Sequence, residues 1–434
     1  MSSLLIPESG SYAVPSGRVV TGRVQPPPSK SITQRVFNLS LLARRPIEIT
    51  RPLMAEDTDL FAAALESLGF RCERQQERIA LYPGRPASGA QIWCGNNGTM
   101  LRFLTAALTT VPGEWTLDGS ERLRQRPVGP LIDVLRLLGA HIRYGDLEGF
   151  APITIAGGSL QGGRVELDAG LSSQFVSAVL MAATQAEDEV VLNVRSLVSA
   201  PYLQLTRKIM ESFGAVTVED ASTGVYRVQP SSLERDHYEV EGDFSSAAYS
   251  AVAALLTGGS VSVEGLGQES QQGDRKFLDV LSAMGAGLKW HEKGFEIHAE
   301  RPLTGIDIDF ANLPDQVPTL AALAPFAAGR TVIRNVRHLR IKESDRLAAM
   351  VRELSRLGAA IQERADGLEI EGSWADRSRI PTQRVEVETH GDHRVAMSLA
   401  LCGLVRPGVI VRNPEVVAKS YPSFWNDLEQ LIQQ

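Results

Sequence analysis

The chain has 434 residues, 43% hydrophobic and 22% charged, with a formal net charge of -7. That composition is ordinary for a globular protein and too long for one core, so two domains or a repeat architecture are expected. The acidic balance argues against general nucleic-acid binding, no apolar run reaches the length of a membrane span, and MSSLLIPESG lacks the basic and long apolar regions of a secretory leader, so a cytoplasmic protein is expected.

In chain order, extended segments around Gly17 to Val24 come first. A helix with a polar start then recurs: SKSITQR, GNNGTMLR, LSSQFVSA, DFSSAAYS, PDQVPTLA and GDHRVAMS. Ser31, Thr99, Ser172 or Ser173, Ser245, Asp315 and Asp392 are read as its N-caps, and Ser31 with Gln34 has the spacing of a capping box. Each such helix leads into a short extended run, from PIEIT to VIVRN. Between them lie amphipathic helices that end in Gly69, Gly139, Gly214, Gly285 and Gly358, a period of roughly 70 residues, where glycine supplies a left-handed cap.

The chain therefore reads as six copies of a βαβαββ unit in the mixed α/β (α+β) class. The N-terminal strands around Gly17 to Val24 would complete the sixth copy across the chain ends. Three copies per domain give two similar domains, residues 29–241 inserted into a discontinuous domain of residues 1–28 and 242–434. Hinges are expected near Val24 to Ser29 and Val240 to Asp243.

Charge at the helix starts points to function. Lys30 and Arg35, Arg102, and His393 with Arg394 sit at or near the starts of the polar-start helices. IKESDR (Ile341 to Arg346) opens a helix with apolar face Leu347, Met350, Val351, Leu354 and Leu357. Cations there oppose the helix macrodipole by roughly 0.3–1 kcal/mol each. A repeated opposition implies compensation, and helix N-termini already bind anions through free N–H groups. Of 44 basic residues only seven are lysine, yet Lys30, Lys342 and Lys419 all fall in motifs. The expectation is a cationic cleft between the domains for small polyanionic substrates. Cys72, Cys94 and Cys402 are scattered and suggest neither disulfides nor a CxxC site, and the pair His390 and His393 is a weak metal signal; no metal and no cofactor is expected.

PPPSKSITQR, GNNGT with LR, RQRPVGPL, LSSQF, LVSAPY, NLPDQVPT, RIKESDRL, GDHRVAMSLAL and AKSYPSFW occur in an order that resembles the enolpyruvyl transferases, most closely the branch acting on shikimate 3-phosphate. The resemblance runs from about Arg23 to Trp425. It implies a pair of inverse α/β barrels, each of three βαβαββ units. It also implies transfer of the enolpyruvyl group of phosphoenolpyruvate to the 5-hydroxyl of shikimate 3-phosphate, with phosphate released. In that reading Lys30, Ser31 and Arg35 form the first substrate-phosphate motif, with Lys30 reaching both substrates. Ser172, Ser173 and Gln174 clamp the sugar phosphate, joined by Ser199 and Tyr202. Gly98, Arg126, Arg346, Arg394 and Lys419 hold phosphoenolpyruvate, with Asn96 and Gln174 beside it and Thr99 shaping the loop. Asp315 is the base for the shikimate hydroxyl, Lys342 its neighbouring contact, and Glu343 carries the proton to C3. A monomer is expected, and glyphosate is implied as an inhibitor.

The chain departs from the family pattern at Thr33-Gln34, Asn97, Phe103 and His338. Asn97 and Phe103 border the phosphoenolpyruvate motif and bear on glyphosate sensitivity. His338 stands where an Asn is usual, against the shikimate hydroxyl. Two other readings stay open: the sister transferase acting on UDP-N-acetylglucosamine, which usually has a loop Cys and a Lys-Asn pair, and a non-catalytic binding protein on the same repeat. Here Lys30 is followed by Ser31, Arg122 to Arg126 contains no Cys, and Cys94 reads as a buried thiol.

Overall fold

The structure is a computed structural model; it describes residues 10–85, 88–220 and 222–433. The chain forms two compact units, one from the chain up to Pro27 together with Gly242 onward, the other Pro28–Glu241. Each has its own hydrophobic core.

Among the described residues the strands form five four-stranded sheets and one three-stranded sheet. The four-stranded sheets share one plan, seen in the second repeat. Strand Gly89–Trp93 lies parallel to Gly113–Asp118, which pairs antiparallel with Ile153–Gly157 and, through it, with His141–Tyr144. A parallel neighbour needs a crossover, supplied here by the buried helix Gly98–Ala107; the antiparallel pair is a simple hairpin. The repeat glycines Gly69, Gly139, Gly214, Gly285 and Gly358 all have positive φ, between 92° and 126°, so the capping signal marks equivalent turns.

Three polar-start helices run through each unit. Helix Phe244–Thr257 is buried on every face from Phe244 to Leu256, and its many Ala and Ser residues suit close packing by other helices. Around it the sheets turn apolar alternates inward: Val261 and Val263 are fully buried on strand Ser260–Glu264, between partly exposed Ser260, Ser262 and Glu264.

The N-terminal strands differ from the sequence expectation. Ser11–Ala13 pairs antiparallel with Ile410–Arg412 and closes the sixth repeat. Thr21–Val24 instead pairs parallel with Ser260–Val263 in the fourth repeat. The strand just before the fourth repeat, His237–Glu239, lies parallel to Glu48–Thr50 in the first. Each unit therefore takes the leading strand of its first repeat from the segment where the chain arrives from, or departs for, the other.

Several caps also move. Helix Lys30–Ala43 is preceded by Ser29, whose side chain makes no capping bond, so Ser31 lies inside the first turn and the Ser31–Gln34 capping box does not form. Asn97, not Thr99, caps helix Gly98–Ala107 by accepting from Met100 N at 2.9 Å. Asp243, not Ser245, caps helix Phe244–Thr257. Ser172 and Asp392 cap as expected. Asp315 sits in the turn Pro314–Gln316 and turns its carboxylate to arginines instead of backbone N–H groups.

Candidate active site

The expected residues fall into two clusters, one in each unit. In the discontinuous unit the organiser is Arg346. IKESDR breaks the turn Arg337–Ile341 before a helix, and Asp345 caps helix Arg346–Arg356 by accepting from Ala348 N at 3.1 Å. Leu347, Met350 and Leu354 on that helix, and Leu357 just past its end, are fully buried and fix its rotation, while Val351, expected on the same face, is only partly buried. Arg346, itself 2% exposed, is thereby turned inward. Its Nη1 donates to Asp315 Oδ1 at 3.0 Å, its Nη2 to Glu343 Oε2 at 2.9 Å and its Nε to Asp392 Oδ2 at 2.8 Å. Arg394 Nη2 donates to the other Asp315 oxygen at 2.9 Å. Asp392 also accepts from Ser344 Oγ at 3.1 Å and caps its own helix through Arg394 N at 2.9 Å.

The electrostatics follow from these contacts. Burial alone would raise the Asp315 pKa; the charges of Arg394, Arg346 and Lys342 outweigh it and hold the carboxyl below the usual carboxylate range. Burial opposes the charge on Arg346, but Asp392, Glu343 and Asp315 more than offset it, and the guanidinium stays charged. His338 is pushed down to about 3, first by burial and then by Lys342, so its imidazole is neutral at physiological pH. Asp274 is pushed up to about 6 by burial and by the charge of Asp315, although Ser245 Oγ hydrogen-bonds to it. Lys419 is buried at the end of the turn Pro414–Lys419, which packs against helix His393–Gly403.

In the inserted unit, Lys30 Nζ lies 3.0 Å from Asp57 Oδ2. Asn97 Nδ2 donates to the Asp57 carbonyl at 2.9 Å and ties the GNNGT loop to the same place. Arg126 Nη1 donates to the Asn96 carbonyl at 3.1 Å. Its guanidinium lies over Gly98 so closely that a Cβ there would be 2.5 Å from Arg126 Cζ. Gln174 accepts from Arg102 Nη1 at 2.6 Å and donates to Thr99 Oγ1 at 2.9 Å. Ser172 accepts from Gln174 N, Ser173 begins the helix, and Ser199 holds a left-handed φ of 56° before helix Ala200–Ser212. Arg35 is turned into the helix packing: it donates to Thr206 Oγ1 at 2.8 Å, the Ser31 carbonyl at 2.9 Å and the Tyr202 carbonyl at 3.2 Å, and Phe103 lies under its guanidinium.

The helix-start cations are thus compensated in part by the protein's own acids. Sequence reasoning took Asp392 only for a cap and passed over Asp57, Asp274 and the link from Arg102 to Gln174. Gly273-Asp274 is one of four Gly-Asp pairs in the chain, too common to single out Asp274, and Asp57 carries no signal of its own.

The EPSP synthase (3-phosphoshikimate 1-carboxyvinyltransferase) family model matches residues 14–428. The chain belongs to that family. The 3-phosphoshikimate 1-carboxyvinyltransferase of Syntrophobacter fumaroxidans is 41% identical over 418 residues, 95% of this chain and 97% of the relative. That of Methanoculleus marisnigri is 42% identical over 408 residues, 93% and 94% of the two chains. The EPSP synthase structure from Acinetobacter baumannii superposes with a TM-score of 0.80 at 28% identity, covering 97% of this chain and 98% of that one. The fold is accordingly that of the EPSP synthase family. Among the described residues no helix is long and apolar enough to cross a membrane.

Proposed function

We propose that the chain transfers the carboxyvinyl group of phosphoenolpyruvate to the 5-hydroxyl of shikimate 3-phosphate, forming 5-enolpyruvylshikimate 3-phosphate and phosphate in the shikimate pathway. The arrangement of Asp315, Glu343 and Arg346 carries the reading. Two carboxylates share one guanidinium, so a base and a proton carrier are held a few ångströms from a cation that an anionic substrate would seek.

In the addition step Asp315 accepts the proton of the 5-hydroxyl as its oxygen bonds to C2 of phosphoenolpyruvate, while Glu343 gives a proton to C3. The resulting tetrahedral ketal then loses a proton from the new methyl group to the Glu343 carboxylate, and Asp315 passes its proton to the departing phosphate. The electron pair re-forms the C2–C3 double bond, and the C2–O bond to phosphate breaks. Lys30, Arg126, Arg346, Arg394 and Lys419 balance the phosphate and carboxylate charge, with Asn96, Gly98 and Gln174 shaping that subsite. Ser31, Arg35, Ser172, Ser173, Gln174, Ser199 and Tyr202, with Lys342, hold shikimate 3-phosphate. As substrate anions draw Arg346 and Arg394, Asp315 loses part of the stabilisation of its ionised form and becomes the stronger base.

The protein is expected to act as a cytoplasmic monomer without a cofactor and to bind glyphosate in place of phosphoenolpyruvate. The deciding assay is phosphate release with phosphoenolpyruvate and either shikimate 3-phosphate or UDP-N-acetylglucosamine. Release with the first acceptor alone is expected; release with neither sinks the proposal. Asp315→Ala and Glu343→Ala should each lower turnover by roughly 10²–10⁴-fold. Wild-type turnover in both would remove the acid–base assignment.

A further inference from the structure

The discontinuous unit carries an open cavity of about 840 Å³, which the proposed reaction does not use. It lies where three buried helices end. Its lining includes the C-terminal end of helix Phe244–Thr257, the residues after helix Val317–Leu323, and those after helix His393–Gly403. The opposite ends of the same helices adjoin Asp243, Asp315 and Asp392. The cavity therefore stands a helix length from the acid cluster, about 10–21 Å at 1.5 Å per residue for helices of 7 to 14 residues.

Three pseudo-equivalent linkers complete the lining, and each contributes one arginine: Arg18, Arg301 and Arg377. The lining contains one acid, Glu300, so its charge is net positive in a chain of formal charge -7. The walls are apolar, among them Val19, Leu255, Leu303, Phe326, Ile380 and Val405. Arg377 sits at the junction of both characters. Its Cζ lies 5.1 Å from the centroid of the Phe326 ring, and its Nη2 donates to the Leu256 carbonyl at 3.0 Å. Arginine beside a helix C-terminus offsets the dipole and needs no ligand. That accounts for the bond to Leu256. It does not account for Arg18 and Arg301, which have no carboxylate partner among the described residues, nor for an open apolar chamber beneath all three.

From these features we infer that the cavity is a second ligand site, which takes a small amphipathic carboxylate. The apolar body lies between Leu255, Phe326 and Val405, and the carboxylate reaches the three guanidiniums. The volume falls in the range of small-molecule sites, and apolar walls with a few convergent polar groups are their usual construction. A guanidinium carries five donors, so Arg377 can keep its bond to Leu256 and still receive a carboxylate.

Calorimetric titration of the full chain with 1-naphthoate tests this. Saturable binding of one molecule per chain is expected, unchanged by saturating phosphoenolpyruvate. Acetate, a head without a body, and 1-naphthamide, a body without a charge, should each bind roughly tenfold or more weakly. Ala375→Trp fills the cavity from an exposed lining position and Arg377→Gln removes a guanidinium; each should weaken naphthoate by a similar factor. Both variants should keep wild-type phosphate release, which reads folding and the proposed reaction separately from the cavity. Absence of saturable binding, equal binding of the amide, displacement by phosphoenolpyruvate, or indifference to Ala375→Trp would each overturn the assignment.

Discussion

Arg346 and Asp392 are joined by two hydrogen bonds, Nε to Oδ2 at 2.8 Å and Nη2 to Oδ1 at 3.3 Å, between the first residue of one helix and the cap of another. Asp392 is fully buried. Without Asp392, Arg346 keeps Asp315 and Glu343 but loses two charge-assisted hydrogen bonds, each worth about 1.5–3 kcal/mol. Asp392→Ala should therefore lower unfolding stability by that order, with a smaller loss in Asp392→Asn. Denaturant titration gives the answer, and a midpoint near wild type for the alanine variant would refute the organising role.

Gly98 is held small by Arg126. The added methyl of Gly98→Ala would meet the guanidinium, the far end of a flexible side chain, rather than backbone. The fold should survive, with little change in melting temperature, while Arg126 is displaced. If Arg126 contacts phosphoenolpyruvate, losing a charge-assisted hydrogen bond raises KM for that substrate by roughly tenfold or more. KM for shikimate 3-phosphate should move far less. Equal changes in both would point to a general distortion.

His338 gives a pH signature. Its folded pKa is lowered from 6.5 to about 3, so between those values the unfolded chain binds a proton that the folded chain does not. Its contribution is full above pH 6.5 and is lost as pH falls toward 3, by at most about 1.4 kcal/mol per pH unit. The facing charges are Lys342, Asp315 and Arg346. His338→Asn should lose less stability than wild type between pH 7.5 and pH 5. Parallel stability curves for the two proteins would count against it.

Asp274 works in the opposite sense. Its folded pKa is raised from 3.8 to about 6, so the folded state holds the proton more tightly, and stability is lost as pH rises through that interval. Asp274→Asn should be more stable than wild type above pH 6, and the gain should vanish below pH 4. Chemical denaturation at pH 4 and pH 7.5 separates the outcomes.

The repeat was legible because it is local: a glycine with positive φ after an amphipathic helix is written into each copy, as at Gly139 and Gly214. The motif residues could be named for the same reason. Strand partnership was not local. Nothing within Thr21–Val24 says that it pairs with Ser260–Val263 and not with the sixth repeat, since a short alternating strand fits several edges. The caps were misplaced by two residues at Ser31, Thr99 and Ser245 because polar residues cluster there, and only the backbone turn decides among them. The pairings of Lys30 with Asp57 and of Arg346 with Asp392 join segments 27 and 46 residues apart, and no spacing rule reaches that far.

The exchange of leading strands sets an order of events during synthesis. The inserted unit has all its strands once His237–Glu239 has been made and can close while the rest of the chain is still being translated. Ser11–Ala13, made first, must wait for Ile410–Arg412, and Thr21–Val24 must wait for Ser260–Val263, about 240 residues later, or on the order of 12–50 s at ordinary elongation rates. Through that interval their ladder groups face water or a chaperone. The earliest strand of the discontinuous unit, Ser11–Ala13, is therefore among the last to find its place, and a ribosome stalled near Glu241 would carry one finished unit with two unpaired strands at its head.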